Sequence, residues 1–378
     1  MFNKPFDNIN IDDINFLKEN AVPEGTSIDY KEQLHLNSRE QRKEFAADIT
    51  SFANTNGGYL VFGVSENEGV INEINGEVFG NIDHLKQQIE NLLRDMVEPR
   101  MNGLQMKAIE INAEKSIFII RVQRSFSGPH IVRGREFYGR NTSGKYQLEY
   151  NEIKRRFLEN EGLYKEIKDF HLERLFKVKA DEGYLKLAPG PTIMLNVLPL
   201  SAFGFDASVL DLGSPYDERD FGPLYQAGVD YHIGFEGIGW RTTIQHQCYG
   251  YHHINRRGIV EIVDRGILRI IGEGQRITIN IPMIEQKLNE VANKIASNYL
   301  RYGVEGPFVL RFALLDVGQA VFINQNGEVT QYNILQNDLL FPDMIINDFS
   351  EFRSFSSQVG DLLYNAAGYT QRPTLYMQ

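Results

Sequence analysis

The chain has 378 residues, a formal net charge of −11 and one cysteine, and hydrophobic residues make up 42% of it. Such a length allows two or three globular domains with substantial cores. The acidic charge argues against a protein that coats nucleic acid non-specifically. A single cysteine excludes both an intramolecular disulfide and a cysteine-rich zinc site. No apolar run approaches the roughly 18 residues of a membrane-spanning helix, and no signal peptide begins the chain. We therefore expect a cytoplasmic protein with no membrane partner.

Hydrophobic periodicity predicts an α+β domain over residues 1–150. Apolar positions recur with helical spacing in the longer segments and alternate or run continuously in the short ones. In chain order, the predicted elements are a helix at 10–20, a strand at 29–34, a helix from the Ser38 cap to about Thr55, a strand at 59–64 with a return strand from Val70, a helix at 81–96, a hairpin at 106–122 and a second hairpin around Gly134. This order, with several strands at the end, indicates a mixed sheet covered by helices.

The rest of the chain predicts a long helix and a second domain. Residues 151–180 are highly charged and have an interrupted apolar face, which favours a helix that bridges two domains. Residues 181–378 combine short strands with a helix, which indicates a second α+β domain whose role the sequence does not show. Its clearest predicted elements are strands at 193–200, 258–263 and 308–315 and a helix at 281–302.

Acidic residues stand on both sides of the turn Asn54–Gly58, which joins a predicted helix to a predicted strand. Glu24 and Asp29 flank the start of the preceding strand, and Glu66 follows the next one. If the two strands are neighbours, these carboxylates meet at one end of the sheet and suit a hard cation such as Mg²⁺ or Mn²⁺. Such an ion activates water for phosphodiester cleavage. Lys31 shares a strand face with Asp29 and would contact a phosphate. The alternative is that these acids only solubilise strand ends.

A basic segment interrupts the acidic chain between residues 121 and 145. It holds six basic residues and one acidic residue, so its net charge is +5. Solvated faces of an antiparallel sheet would explain this charge, and the sharper hypothesis is a surface that binds the phosphates of a nucleic acid. The basic residues are Arg121, Arg124, Arg133, Arg135, Arg140 and Lys145.

Other chemistries have less support in the sequence. The backbone amides of the turn Asn54–Gly58 would suit a phosphate, although a helix cap before a buried strand explains the same residues. A zinc site is conceivable at His246, His252 and His253, but no acidic or cysteine partner stands at ligand spacing. The chain has neither the Gly-x-x-x-x-Gly-Lys-Ser/Thr sequence of a P-loop nor the Gly-x-Ser-x-Gly sequence of a serine hydrolase.

The first 150 residues resemble the Schlafen-type AlbA-like domain, also called AlbA_2. The resemblance rests on Glu24-x-x-x-x-Asp29-Tyr30-Lys31, on the segment Phe52-Ala53-Asn54-Thr55-Asn56-Gly57-Gly58-Tyr59-Leu60, on Gly63-Val64-Ser65-Glu66, and on Pro129 with Phe137-Tyr138-Gly139-Arg140 and Ser143. The second stretch is similar to the family's most distinctive motif. Asp29 stands where the family usually has Glu, and Glu66 stands where it usually has Asp, so both positions keep their charge.

The resemblance implies a metal-dependent RNA endonuclease. In nuclease members of the family, three carboxylates at such positions bind a divalent metal and cut RNA, notably tRNA. By that resemblance Glu24, Asp29 and Glu66 hold Mg²⁺ or Mn²⁺, and Lys31 stabilises phosphate charge. A role in stress or antiphage defence and a homodimer or larger oligomer are implied by analogy. Two alternatives stay open: a non-catalytic, nucleic-acid-binding regulatory module that uses the same basic segment, and a scaffold whose C-terminal domain recognises another protein.

Overall fold

A computed structural model of the chain describes residues 2, 6–101, 104–134, 136–203, 209–212, 222–226, 228–271, 276–347 and 349–373. The chain divides into two compact units, Met1–Gly162 and Leu163–Gln378. Helices and sheets occur in both units, so the predicted α+β class is confirmed. None of the described helices combines the length and the apolar character that crossing a bilayer requires.

The first unit contains a small mixed sheet, a second sheet of short strands and a hairpin. Its helices are α1 (Ile11–Glu19), α2 (Arg39–Ala53) and α3 (Ile82–Met96), and α4 (Tyr150–Lys179) begins in this unit and ends in the next. Its strands are β1 (Ile28–Lys31), β2 (Gly58–Phe62), β3 (Val64–Asn67), β4 (Val70–Ile74), β5 (Val97–Glu98), β6 (Leu104–Glu110), β7 (Ser116–Val122), β8 (Ile131–Val132), β9 (Glu136–Asn141) and β10 (Gly144–Gln147).

The central sheet of this unit has the strand order β1–β2–β7–β6. Strands β1 and β2 are parallel, and parallel neighbours need a crossover connection, which α2 supplies. Ser38 caps α2: its hydroxyl accepts the N–H of Gln41 at 3.1 Å, and the Gln41 side chain accepts the N–H of Ser38 at 2.9 Å. Such a cap is worth about 1 kcal/mol. Because β1 and β2 run in the same direction, the loop before β1 and the turn before β2 lie at the same edge of the sheet.

Apolar residues cover both faces of this sheet, because successive residues of a strand point to opposite sides. Leu60 and Phe62 belong to the core formed with α2 and α3. Ile28 belongs to the core on the opposite face, which includes residues of α1. Asp29 pairs in register with Leu60, so Asp29 and Lys31 point toward the α2 side. The strand thus delivers two charged side chains to an otherwise apolar face.

The second unit is built on a large antiparallel sheet. The strands of the whole second unit are β11 (Thr192–Pro199), β12 (Val229–Ile233), β13 (Gly237–Ile244), β14 (Gln247–Asn255), β15 (Val260–Asp264), β16 (Arg269–Ile271), β17 (Arg276–Asn280), β18 (Phe308–Leu315), β19 (Val321–Ile323), β20 (Val329–Asn333), β21 (Leu339–Leu340) and β22 (Met344–Ile346). Its helices are α5 (Ile281–Tyr302) and α6 (Phe352–Ala366). The large sheet has the order β12–β13–β14–β15–β11–β18–β21, with β22 also paired to β18.

A polar row crosses the large sheet on one face. Arg174 of α4 donates to Glu261 of β15 at 2.8 and 2.7 Å, and His171 Nδ1 lies 2.8 Å from Asn196 Oδ1 of β11. A buried carboxylate such as Glu261 needs hydrogen-bonding partners of this kind, because an unpaired polar group in the interior is costly. From β12 to β18, the residues in register are His232, Gly239, His253, Glu261, Asn196 and Arg311.

Most long elements agree with the periodicity, and two differ from it. The predicted strand at 29–34 is wrong at its end, since β1 stops at Lys31 and the N–H of Leu34 donates to the Glu77 carboxylate at 2.9 Å. Helix α6 was not predicted, although its buried residues recur with helical spacing. The helix predicted at 151–180 is present as α4, and the division between the two units lies within it.

Candidate functional site

The turn Asn54–Gly58 has a conformation that only glycine accommodates at its end. Gly57 has a φ of +73°, and a side chain there would lie 2.7 Å from the carbonyl oxygen of Val122. A side chain on Gly58 would lie 2.4 Å from the ring of Phe52. The N–H groups of Thr55 and Gly57 both donate to the carbonyl of Phe52. The turn therefore closes a helix before a buried strand, and these two amides are used within it.

Asn54 fastens this turn to the second sheet of the first unit. Its Nδ2 donates to the carbonyls of His130 and Tyr138, both at 2.9 Å, and its Oδ1 accepts the N–H of His130 at 2.6 Å. The side chain is 5% exposed. Only an asparagine provides one acceptor and two donors in this arrangement, so the residue has a clear structural role.

The same turn positions Arg140, which lies in the interior. Its backbone N–H donates to Thr55 Oγ1 at 3.0 Å, and its guanidinium lies 4.1 Å from the centre of the Phe52 ring. Arg140 Nη1 donates to Asp29 Oδ2 at 2.8 Å, and Nε donates to the carbonyl of Gly25 at 3.1 Å. With 5% exposure, Arg140 is placed to hold Asp29. The sequence prediction put it on a phosphate-binding surface, and burial in this ion pair keeps it away from one.

Glu24 and Asp29 are in contact at the start of β1. Their carboxyl groups are close enough to affect each other's pKa, and Glu24 Oε1 accepts the N–H of Tyr30 at 2.6 Å. Burial raises the pKa of Glu24 to about 7, and the charge of Asp29 adds to the shift. Burial acts on Asp29 in the same direction, but Lys31 and Arg140 hold the pKa of Asp29 below its ordinary value. One carboxylate thus stays ionised while its neighbour exchanges a proton near neutral pH, a separation typical of acid–base sites.

Lys31 connects this pair to a second buried carboxylate. Its Nζ lies 3.1 Å from Asp29 Oδ1. Burial opposes its charge, but Asp29 and Asp48 raise the pKa of Lys31, so it remains an ammonium. Asp48 of α2 is bound by Lys145 at 2.7 Å, and Lys145 contacts Glu44 at 2.6 Å. A cavity of about 450 Å³ opens beside Lys31, Glu44 and Asp48. Among the described residues that line this cavity, Lys31 is the lysine or arginine that can meet a ligand.

Glu66 lies near Glu24 but is engaged by its own hairpin. Its Oε2 accepts the N–H of Gly69 at 2.7 Å, and the carbonyl of Gly69 accepts the N–H of Glu24 at 2.7 Å. The β3–β4 turn therefore folds back onto the loop before β1. Gly69 therefore links the two acidic residues: its N–H bonds the Glu66 side chain, and its carbonyl bonds the Glu24 backbone.

A divalent metal does not fit the predicted ligands as they stand. Within the described ranges, no group of three or more His, Cys, Asp or Glu side chains is arranged to hold a metal ion. Both oxygens of Asp29 already face cations, Lys31 and Arg140, whereas hard cations require free carboxylate oxygens. The involvement of Mg²⁺ or Mn²⁺ with Glu24, Asp29 and Glu66 stays a prediction, and no step below depends on it.

The other predicted phosphate contacts occupy separate positions. Arg121 donates to Gln105 at 3.2 Å beside the Tyr59 ring. Arg124 lies over the Phe126 ring at 5.2 Å. Arg133 faces a groove between α2 and α3. Arg135 is outside the described residues. A contact of these arginines, or of Lys145, with nucleic acid stays a prediction.

The histidines considered for a zinc site do not converge. His252 packs against Trp240, with ring centres 5.7 Å apart, and His253 stacks on Tyr184 at 3.7 Å. The two histidines are neighbours on β14 and point to opposite faces of the sheet. His246 is in the turn before that strand, with a φ of +65°.

Sequence reasoning missed Asp48 and the true position of Arg140. Asp48 follows Phe45 by three residues, and both are buried. A charged residue at an apolar helical position was therefore a usable signal. Arg140 is 111 residues from Asp29, and no local pattern links two residues so far apart.

Comparisons with known proteins give a family match for part of the chain. Residues 24–149 match the family model described as Schlafen, AlbA_2, and this range includes every predicted site residue. The chain therefore contains a Schlafen AlbA_2 domain. Curated protein sequences give no match.

Two solved structures are also similar. One is the N-terminal domain of a Nitrosomonas europaea protein whose name relates it to the ATP-dependent DNA helicase RecG. The two sequences are 21% identical, the match covers 29% of this chain and 71% of that chain, and the TM-score is 0.23. The other is the DIP2311 protein from Corynebacterium diphtheriae. The two sequences are 17% identical, the match covers 37% of this chain and 30% of that chain, and the TM-score is 0.26. The similarity spans less than a third of the second protein's length.

Proposed function

We propose that the first unit binds RNA and uses Glu24, Asp29 and Lys31 to cleave it. The observation that carries this proposal is the contact between a carboxyl group whose pKa is about 7 and an ionised carboxylate held by two cations. Perturbed groups of this kind concentrate at sites of chemistry. The AlbA_2 match supports the nucleic acid as the ligand class, by analogy with the family.

The side chains suit acid–base cleavage of a phosphodiester. Glu24 in its ionised form accepts the proton of the attacking hydroxyl or water, and in its protonated form it supplies a proton to the leaving oxygen. Lys31 lines the cavity, and its ammonium group stabilises the charge that develops on the phosphate oxygens. Asp29 and Arg140 hold Lys31 and the loop of Glu24 in place. A bound Mg²⁺ or Mn²⁺ would add charge neutralisation and water activation.

We further propose tRNA as the substrate, a cytoplasmic role in stress or antiphage defence, and assembly as a homodimer or larger oligomer. These proposals rest on the family resemblance. Light scattering of the purified full chain tests the oligomeric state: a mass of one chain, 43.3 kDa, would rule out a stable dimer.

Cleavage of total tRNA by the full chain tests the nuclease. Reactions contain Mn²⁺, Mg²⁺ or a chelator, and they compare the wild type with Glu24→Gln and Asp29→Asn. Loss of the acid–base group should slow cleavage by about 10²-fold or more. Glu19→Gln, a charge-matched change at the exposed end of α1, should cleave like the wild type. Equal rates for all four proteins would rule out the site. Cleavage that persists in chelator would show that the chemistry needs no divalent ion.

A non-catalytic RNA-binding module is the second candidate. It is favoured by the cations that already compensate Asp29, because a neutralised cluster serves to hold structure as well as to react. In that case the wild type would bind RNA with a steep salt dependence and cleave it under none of the three ion conditions.

A further inference from the structure

A second cavity of the first unit, about 840 Å³, lies between α2 and α3 beside the turn that joins β8 to β9. We propose that this groove, called here the α2–α3 groove, binds a stretch of single-stranded RNA next to the candidate site. The inference rests on the proposed RNA-directed function and extends it to a substrate class. The volume is in the range of ligand-binding cavities.

The charge of the α2–α3 groove favours a polyanion. Four cations line it, Arg39, Arg42, Lys43 and Arg133, against two acids, Glu40 and Asp95. The excess is local, since the whole chain carries −11. Lys43 is paired with Glu136 at 2.7 Å, and Arg42 Nε donates to the carbonyl of Leu36 at 2.8 Å.

Arg39 and Arg133 are the cations best placed to meet an incoming strand. Both are exposed at the rim of the groove. Arg39 is the first residue of α2, and Arg133 stands in the β8–β9 turn, so the two reach the groove from different elements. Cations on separate elements can contact successive phosphates of one strand.

The floor of the groove explains why the strand should be single. Residues of α3 supply amide and imidazole groups to it, namely His84, Gln87, Gln88 and Asn91. Such groups hydrogen-bond the edges of unpaired bases, which a duplex hides. The described lining contains no Phe, Tyr or Trp ring, so stacking is limited to His84 and the arginines, and we expect little preference for one sequence over another.

The α2–α3 groove and the cavity beside Lys31 have one lining residue in common. Glu40 lines both this groove and the cavity that holds Lys31. Both cavities therefore border the first turn of α2. A strand with one phosphate at Lys31 that runs past Glu40 would extend toward Arg39, the residue before Glu40 on α2.

The test measures RNA binding by the full chain with cleavage blocked by Glu24→Gln. Fluorescence anisotropy compares this parent with Arg39→Gln plus Arg133→Gln, using a labelled 16-nucleotide single strand over a salt series. Each phosphate contact with a single strand contributes about 0.7 to the slope of log K against log salt. Losing two contacts should flatten that slope by about 1.4 and weaken binding about 25-fold at 0.1 M salt.

Two controls separate the groove from charge in general. Lys18→Gln plus Lys115→Gln removes the same charge from exposed positions that line neither cavity, and it should bind nearly as the parent does. Arg39→Lys plus Arg133→Lys should keep the parent's slope. A duplex of the same sequence should bind the parent more weakly.

Three results would overturn the inference. The Gln pair could match the Lys18 and Lys115 control in affinity and slope, which refutes the groove while RNA binding stands. The duplex could bind as tightly as the single strand, which refutes the substrate class. A parent that binds no RNA would refute the proposed function together with the groove.

Discussion

Replacing Arg140 with methionine should destabilise the first unit by about 3 kcal/mol. The side chains of Arg140 and Asp29 are 2% and 5% exposed, and removing one partner of a buried ion pair costs about 3–5 kcal/mol. Lys31 remains 3.1 Å from Asp29, which places the expected cost at the low end. Methionine keeps an apolar contact with the Phe52 ring, so the lost guanidinium accounts for most of the change.

Hydrogen-exchange mass spectrometry of the full chain can locate this effect. Amides of β1 and β2 should exchange about 150-fold faster in Arg140→Met, since 1.4 kcal/mol corresponds to a factor of ten. Arg155→Met is the matched control, because Arg155 is 64% exposed and its distance to Glu159 is 3.5 Å. Exposed pairs of this kind contribute less than about 1 kcal/mol.

The pH dependence gives the sharper test of the same reasoning. Lys31 and Arg140 hold the pKa of Asp29 below its ordinary value, so the stability from ionised Asp29 is present at neutral pH and lost as pH falls through that lowered pKa. In Arg140→Met, burial should raise the pKa of Asp29 above its unfolded value. The variant's deficit should therefore shrink between pH 7 and pH 4.5. A deficit of equal size at both pH values would refute the reasoning.

Three further predictions concern other parts of the chain. Glu24→Gln should match the wild type in stability near pH 5 and exceed it by roughly 1–2 kcal/mol at pH 8, after allowance for solvent screening. The reason is that the raised pKa of Glu24, about 7, means stability is lost as pH rises through that value. Gly57→Ala should cost roughly 3 kcal/mol in urea unfolding, from backbone strain and a contact at 2.7 Å. Arg174→Met should cost about 3–5 kcal/mol, because it leaves Glu261, 2% exposed, without its guanidinium.

Each of these predictions has its own control and contrary result. For Glu24, the same difference from wild type at pH 5 and pH 8 would show that its titration does not affect folding. For Gly57, the control is Gly144→Ala, where φ is +105° and nothing lies within 4 Å; equal costs would mean that the close contact is relieved. For Arg174, the probe is fluorescence of the chain's single tryptophan, which lies in the second unit, and the control is Lys177→Met, at a side chain that is 42% exposed. An unchanged midpoint would contradict the buried pair.

The sequence was sufficient to predict those elements whose boundaries depend on residues close together in the chain. Helix α5 spans the predicted 281–302, and the Ser38 cap sets the start of α2. The strand predicted at 29–34 is too long because the alternation of polar and apolar residues continues past Lys31. The observed strand β1 ends there because its parallel pairing with β2 ends at Phe62. Periodicity measures the tendency to form a strand, and pairing decides where the strand ends.

The candidate site was predictable in its members and unpredictable in its electrostatics. Glu24, Asp29 and Lys31 are close in sequence, so the spacing already placed them together. The partners that set their charge, Arg140 and Asp48, come from β9 and α2. Charge compensation at a buried site depends on tertiary contacts, and for that reason the number of carboxylates alone could not decide how many are available to a ligand.

The contact between α4 and the large sheet has a geometric consequence. His171 and Arg174 are three residues apart and reach Asn196 and Glu261, which are paired on adjacent strands. Three helical residues rise about 4.5 Å, and adjacent strands are about 4.8 Å apart. The rise of three residues along α4 is thus nearly equal to the spacing between two adjacent strands, so residues three apart on the helix reach neighbouring strands. Deleting one residue between His171 and Arg174 would rotate one side chain by about 100°, and no sliding of the helix could restore both partners.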